Sequence, residues 1–378
     1  MAGRKRTGER RRSAGLGGVA DVCHVIPPYM TDSIARLGDP DQRARILETA
    51  SITASLRAAR LVRSEVAAAQ RALFRGRGRR LLGGGPGTCT LDLTIFSAHN
   101  TYRIPGTRVR DENMPPTGDN AVDEAFDGIR ATHAFYCAAY ERDSVDGQGQ
   151  PLKGVAHYGN RYDNAFWDGK EMIFGDGDGK IFNRFTVAVD VIGHELTHGV
   201  TEDEAGLIYW AQPGALNESI SDVFGSLVKQ YSHMPPQKAD EADWLIGEGL
   251  LMPTVTGTAL RSMKAPGTAY NDPVLGKDPQ PARMADYVHG LGDNGGVHIN
   301  SGIPNKAFYE VAVDLGGYAW ESAGLIWYQT LRSPQLRRTA NFQAFANLTV
   351  RTARRLFGRN SPEEHAVHHG WSVVGITV

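Results

Sequence analysis

Gly193-His194-Glu195-Leu196-Thr197-His198-Gly199 is the stretch on which the reading of this chain turns. On a helix, residues four apart share a face, one turn from each other. His194 and His198 can therefore bring both imidazoles to one metal ion. Glu195, between them, can face a water held by that ion and act as a base. The pentapeptide alone is only moderately specific, so its surroundings have to supply the remaining parts.

A catalytic zinc takes three protein ligands and keeps one open position. The best third ligand is Glu218, in Gly214-Ala215-Leu216-Asn217-Glu218-Ser219-Ile220-Ser221-Asp222, 20 residues past His198. That separation allows a loop and the start of a second helix. Glu218 alone could be a first-turn glutamate favoured by the helix dipole. Asp222, at i+4 on the same face, weakens that plainer reading. Metal-bound histidines usually donate their second N–H to a carboxylate or carbonyl. Asp222 is read as the orienter of His194, and Asn217 as support near His198.

Such a site, with Glu195 as general base, suits hydrolysis of a polarised carbonyl. The developing oxyanion then needs donors. Tyr209 lies between the ligand segments, and His298 ends Asp293-Asn294-Gly295-Gly296-Val297-His298. A lone histidine is more often structural. Here Asp293 stands five residues earlier, across a Gly-Gly turn that can fold its carboxylate back to the imidazole. A carboxylate-held imidazolium is a good oxyanion donor. No role is assigned to the other histidines, the His368-His369 pair included.

The 378 residues, 41% of them hydrophobic, suffice for two cored domains. The net charge of -1 hides an asymmetry. Residues 1–80 hold 17 Lys+Arg against 7 Asp+Glu, and the remainder 24 against 35. The arginine run from Arg4 to Arg12 admits a nucleic-acid arm, but a solvated tail is the plainer reading. A third reading docks the basic segment on the acidic body as a pro-segment. Cys23, Cys89 and Cys137 are an odd number, read as buried or incidental thiols rather than a disulfide framework. Cys23 beside His24 could cap a metal in a latent enzyme, a minor alternative. No run of 18 apolar residues is present, so no transmembrane helix is expected. The stretch Ala14 to Ala20 after the arginines is Gly-rich and makes a poor export signal.

Along the chain, residues 1–25 read as disordered, and Ile26-Pro27-Pro28-Tyr29-Met30 as a compact proline-bound element. Residues 41–74 read as helix, and the Gly/Arg-rich stretch 76–87 as an exposed linker open to nicking. Alternation from Cys89 to Ile104 reads as extended chain. Helices are expected at 119–142, through the metal motif from 186 to about 203, and at 216–232, 241–251, 302–315, 318–331 and 339–357. The region 150–185 suits strands and turns. The expected class is α+β: a β-rich half, then a helical half, with the metal helix between.

These stretches carry a resemblance to a known family. With Asn164-Ala165-Phe166-Trp167, Met172 to Gly179, Asp190 to Glu202, Gly206 to Tyr209, Gly214 to Asp222, Arg261-Ser262-Met263 and Asp293 to Gly302, the chain resembles the thermolysin-like zinc endopeptidases. The short N-terminal region with Ile26-Pro27-Pro28-Tyr29 is most similar to the protealysin-like subgroup. The resemblance implies a two-lobed fold: residues 1–80 a pro-segment, 81–206 a β-rich lobe ending in the zinc helix, 207–378 a helical lobe. It implies one zinc on His194, His198 and Glu218, with Glu195 activating water. Tyr209 and His298 would stabilise the oxyanion, with Asp293 orienting His298. Arg261 and Asn164 would hold the substrate backbone, and the Ala165 carbonyl would accept from it. Phe182, Phe185, Val191, Ile246, Leu250 and Leu260 would line a pocket for a bulky hydrophobic side chain after the scissile bond, though each is also a fair core residue. The expected partners are protein or peptide substrates and the chain's own pro-segment as intramolecular inhibitor, in a monomer. By resemblance the enzyme would be secreted, with cytoplasmic retention the alternative because no clear signal peptide is read.

The chain also departs from its larger relatives. Asp190, Asp243 and Glu248 stand at a double calcium site, but Lys229 and Leu245 replace two carboxylates, and Thr258 stands where a second calcium loop expects an aspartate. Since an ammonium cannot ligate calcium, Lys229 is expected to substitute for it. The competing enzyme reading, an aminopeptidase, needs a Gly-x-Met-Glu-Asn segment, which is absent. A non-catalytic protein with a regulatory basic arm is disfavoured by the retention of Glu195 and its surrounding partners.

Overall fold

The computed structural model describes residues 24–73 and 89–378. The arginine run, Cys23 and the linker at 76–87 lie outside the described residues. Two N-terminal helices come first, α1 (Pro28–Leu37) and α2 (Pro40–Leu73). Proline at the first turn of each costs nothing, because those N–H groups have no intrahelical acceptor. The Ile26-to-Met30 element is therefore the lead-in and first turn of α1. Its Met30, Ser33 and Ile34 form the buried face.

The first lobe is a five-stranded sheet of β1 (Leu93–Ser97), β2 (Thr107–Asp111), β3 (Leu152–Ala156), β4 (Ala165–Trp167) and β5 (Met172–Phe174), in the order β2-β1-β3-β5-β4. Strands β1, β3 and β5 are parallel, and β2 and β4 flank them antiparallel. Helix α3 (Asn120–Tyr140) covers one face, and Asp119 caps it by accepting from the N–H groups of Ala121 and Val122. The alternation in β1 turns Leu93 and Ile95 to that side. On the opposite face Val155, Tyr158, Tyr162, Phe166 and Ile173 form a separate cluster, closed by Ile52 and Leu56 of α2.

Helix α4 (Val189–Glu204) joins the first lobe to the second, which begins with α5 (Ala211–Ser232). It continues through two two-stranded ribbons into α6 (Asp293–Asn300), α7 (Gly302–Leu315), α8 (Ala323–Leu331), α9 (Phe342–Phe357) and α10 (Pro362–Val373). The metal motif lies within α4 and Glu218 within α5, as the spacing anticipated. The expected helix at 241–251 is not one. The backbone turns left-handed at Trp244 (φ 57°), and Leu245–Ile246 pairs as a strand with Arg261–Ser262. The Gly247 N–H is taken by the Asp190 carboxylate instead of a helical carbonyl, at 3.1 Å. A tertiary bond thus overrides the local apolar period.

The cysteine reading is also corrected. Cys89 and Cys137 form a disulfide that joins the lead-in to β1 with α3 across 48 residues. An odd count leaves one thiol over; it does not forbid one bridge.

Candidate active site

Every group singled out around the metal motif converges at the junction of α4 with α5. The Nε2 atoms of His194 and His198 lie 3.0 Å apart. Glu218 Oε2 is 3.5 Å from His194 Nε2, and Glu218 Oε1 is 3.6 Å from His198 Nε2. Among the described residues, His194, Glu195 and His198 also form the one carboxylate–imidazole group of metal-binding size.

The tautomers follow from the outer bonds. His194 Nδ1 faces Asp222 Oδ1 at 2.8 Å, and His198 Nδ1 faces Asn217 Oδ1 at 2.9 Å. Both Nδ1 atoms donate, so as neutral rings the two imidazoles present Nε2 lone pairs to each other beside a carboxylate. Burial pushes the His198 pKa down to about 3, which keeps that ring neutral. Two lone pairs and a carboxylate facing one another repel unless a cation sits among them. The 3.0 Å separation is close to the ~3.3 Å expected between two ligands on a tetrahedral zinc.

Glu195 is fully buried, and its Oε2 accepts from the Trp167 N–H of β4 at 3.0 Å. The neighbouring lobe thereby aims the glutamate. Tyr209 donates its hydroxyl to Glu218 Oε1 and lies 3.1 Å from His298 Nε2. Asp293 and Asn294 have positive φ before Gly295 and Gly296. That turn brings Asp293 Oδ1 within 2.5 Å of His298 Nδ1, and Oδ2 accepts the His298 N–H at 2.9 Å. Burial disfavours the imidazolium, but Asp293 and Glu218 outweigh it and raise the His298 pKa.

Arg261 is buried and paired with Asp222: Nη2 to Oδ1 at 2.8 Å and Nε to Oδ2 at 2.9 Å. Burial works against the Asp222 charge, yet Arg261 and His194 hold its pKa below the usual carboxylate range. Phe182, Phe185, Val191, Ile246, Leu250 and Leu260 are all buried and belong to the main apolar cluster. They are gathered by Asn183 N to Leu250 O, 2.8 Å, and Leu260 N to Ile246 O, 2.9 Å.

Three contributors escaped the sequence. Asn305 Nδ2 donates to Asp222 Oδ2 at 2.8 Å, and Gln280 Nε2 donates to the His298 carbonyl at 2.8 Å. The third is the Trp167 N–H on Glu195. Asn305 and Gln280 lie outside the sequence motifs; Trp167 closes the Asn164-to-Trp167 stretch, but its role rests on a backbone N–H, which no side-chain pattern reveals.

The N-terminal segment lies along β4, the edge of the sheet. Val25 N–H donates to the Ala165 carbonyl at 3.3 Å, and Ile26 N–H to Asn164 Oδ1 at 3.1 Å. Tyr29 is close enough to the site for Arg261 and Asp293 to act on its hydroxyl, whose pKa burial raises.

A helix-borne imidazole pair, a carboxylate from the next helix and an aimed glutamate between two lobes define a metallopeptidase. Residues 87–202 match the thermolysin metallopeptidase catalytic domain, and residues 205–376 match its alpha-helical domain. The chain is 48% identical over 357 residues to an extracellular metalloprotease of Pectobacterium carotovorum subsp. carotovorum, covering 94% of this chain and 97% of that one. It is 55% identical to protease PrtS of Photorhabdus sp. (strain Az29) over 76% of this chain and 77% of that protein. The solved precursor of protealysin, a metalloproteinase from Serratia proteamaculans, superposes with a TM-score of 0.81. It is 50% identical, over 94% of this chain and 100% of that chain. The chain belongs to the thermolysin metallopeptidase family, and it is a zinc-dependent metalloendopeptidase in zymogen form.

Proposed function

We propose that one zinc per chain is held by His194, His198 and Glu218, and that the enzyme cleaves internal peptide bonds on the N-terminal side of Leu or Phe. The observation that carries this reading is the convergence of two lone-pair Nε2 atoms with Glu218, beside a Glu195 held by Trp167. When bound, zinc acidifies a water and polarises the scissile carbonyl. Glu195 takes the proton of the attacking water and passes it to the leaving amine. Tyr209 and His298 donate to the oxygen on which charge develops, and Asp293 keeps His298 charged and aimed. Asp222 and Asn217 fix the imidazoles. Asn164 and the Ala165 carbonyl bind substrate backbone, with Arg261 between Asp222 and the substrate. The apolar lining of Phe182, Phe185, Val191, Ile246, Leu250 and Leu260 suits a bulky hydrophobic side chain.

Residues 1–80 act as an intramolecular inhibitor, because Val25 and Ile26 use the same Asn164 and Ala165 groups that a substrate needs. Removal falls in the linker before Cys89, leaving a monomer with lobes at 81–206 and 207–378. Lys229 stands in for calcium: its Nζ lies 2.7 Å from Asp243, 3.1 Å from Glu248 and 3.8 Å from Asp190. The ammonium thus neutralises the carboxylates by direct pairing.

The test follows mass and cleavage of an internal Gly-Leu peptide over time, with and without a zinc chelator. Loss of about the first 80 residues, with rising chelator-sensitive cleavage, is the expected outcome. Glu195→Gln should keep zinc and abolish hydrolysis, whereas Glu218→Ala should lose the metal too. Full activity in Glu195→Gln would sink the mechanism.

A further inference from the structure

The pro-segment does not hold to the enzyme through the cleft alone. Helix α2 lies on the sheet face opposite α3, far along the chain from the Val25 and Ile26 contacts. The surface beneath it is built as a binding site. Tyr102, Tyr158, Tyr162 and Phe166 form a ladder of edge-to-face rings with centroid separations of 5.5, 5.3 and 6.4 Å. Ile52 and Leu56 of α2 press on it. Two hydroxyls fix the helix: Thr53 Oγ1 meets Tyr162 OH at 2.8 Å, and Thr49 Oγ1 accepts the Asp163 N–H at 3.3 Å. Charges align at the leading end. Lys180 Nζ pairs with Asp41 at 3.1 Å and Asp39 at 3.3 Å, and Tyr102 OH donates to Glu48 at 2.9 Å. Asp41, Glu48, Thr49, Ile52, Thr53 and Leu56 fall on one helix face by their spacing.

Release of the pro-segment, on the reading proposed above, uncovers this face. It then presents four aromatic rings, with Val155 and Ile173 beneath them and Lys180 at the rim. An apolar patch of this kind on a monomer is a recognition surface. Strand β4 joins it to the cleft: the Ala165 carbonyl faces the cleft occupant, and the next side chain, Phe166, belongs to the ladder. We propose that in the mature enzyme this face docks an amphipathic helix of a protein substrate. That helix carries carboxylates in its first turns and an aliphatic stripe behind them. In the zymogen α2 starts 14 residues after Ile26. A helix at similar spacing on the C-terminal side of a scissile bond can therefore engage both sites at once.

The test uses enzyme matured from the full-length chain and two substrates. One is a short Gly-Leu peptide, and the other is the same peptide followed, at that spacing, by the sequence of residues 39–58. The added helix should lower KM by roughly tenfold through effective concentration, with kcat unchanged. Lys180→Glu and Tyr102→Ala should each erase most of the gain while leaving short-peptide cleavage as in the parent, which also shows that they fold. The free 39–58 peptide should compete against the long substrate only. Equal KM for both substrates, or a gain that survives both substitutions, overturns the proposal. So does binding of the free peptide without preference for the long substrate, since the face would then serve only the pro-segment. So too does a mature dimer that buries the face. Absence of short-peptide cleavage, or of the mass loss, would instead indict the zymogen reading itself.

Discussion

Asp163 lies under α2, 3% exposed, and its Oδ1 has no hydrogen-bond partner among the described residues. Burial, then the nearby charge of Asp178, raises its pKa to about 8, against the partial relief of a backbone bond, Arg161 and Arg45. A raised carboxylate means that the folded state holds a proton the unfolded state has lost. Its contribution to stability is therefore complete below the ordinary 3.8 and is lost as pH climbs through about 8. His157 acts in the same direction from the other side. Its bond to Asp176 leads, burial opposes, and Asp119 adds, lifting the imidazole to about 9. That contribution is complete below 6.5 and is lost as pH passes upward through about 9. The full-length Glu195→Gln protein should thus melt at falling temperature from pH 6 to pH 9, and adding Asp163→Asn should flatten the slope. A melting profile as steep in the double variant would mean that Asp163 is ionised in the fold.

At the scale of elements, the metal site depends on how closely α4 and α5 approach. A Cβ added at Gly225 would lie 2.4 Å from the Asp190 carbonyl oxygen and 3.1 Å from the His194 nitrogen. The two helices meet backbone to backbone beside His194, a proposed zinc ligand, so even one methyl group forces them apart. Gly225→Ala should cost about 1–3 kcal/mol in stability. It should also weaken zinc binding, read by competition with a chelator. Normal zinc affinity with an unchanged melting temperature would show that the helices can slide without consequence. The disulfide acts at the same scale. Closing 48 residues removes denatured-state entropy worth about 4 kcal/mol in the loop-closure model.

For the whole molecule, the proposed replacement of calcium by Lys229 has a measurable consequence. Burial drives Asp190 up to about 6, opposed first by Lys229, so a cation beside it matters whichever kind it is. Because that cation is covalently part of the chain, a calcium-selective chelator should barely move the melting temperature. A drop of many degrees would refute the substitution. Much of this molecule was legible in its residues. His194, Glu195 and His198 are local in sequence, and helical period alone sets their geometry. Glu218 and Asp222 share one face of the next helix, and α2 announced itself by apolar residues recurring among Ala, Arg and Glu. What stayed hidden depends on contacts between distant segments. The Cys89–Cys137 pairing needs the placement of α3 beside the lead-in to β1. Asn305 meets Asp222 only once α7 packs on α5. The span 241–251 looks helical until Asp190 claims the Gly247 N–H.

Cys89 stands four residues before β1, and its bridge to α3 fastens the lead-in just beyond the Gly/Arg-rich stretch. A cut anywhere within residues 76–87, where removal of the pro-segment is proposed, leaves the same riveted start to the sheet. On that proposal, processing within the stretch can be imprecise. A ragged mixture of amino termini would present one catalytic body, and accuracy in the activating cut is something this fold does not require.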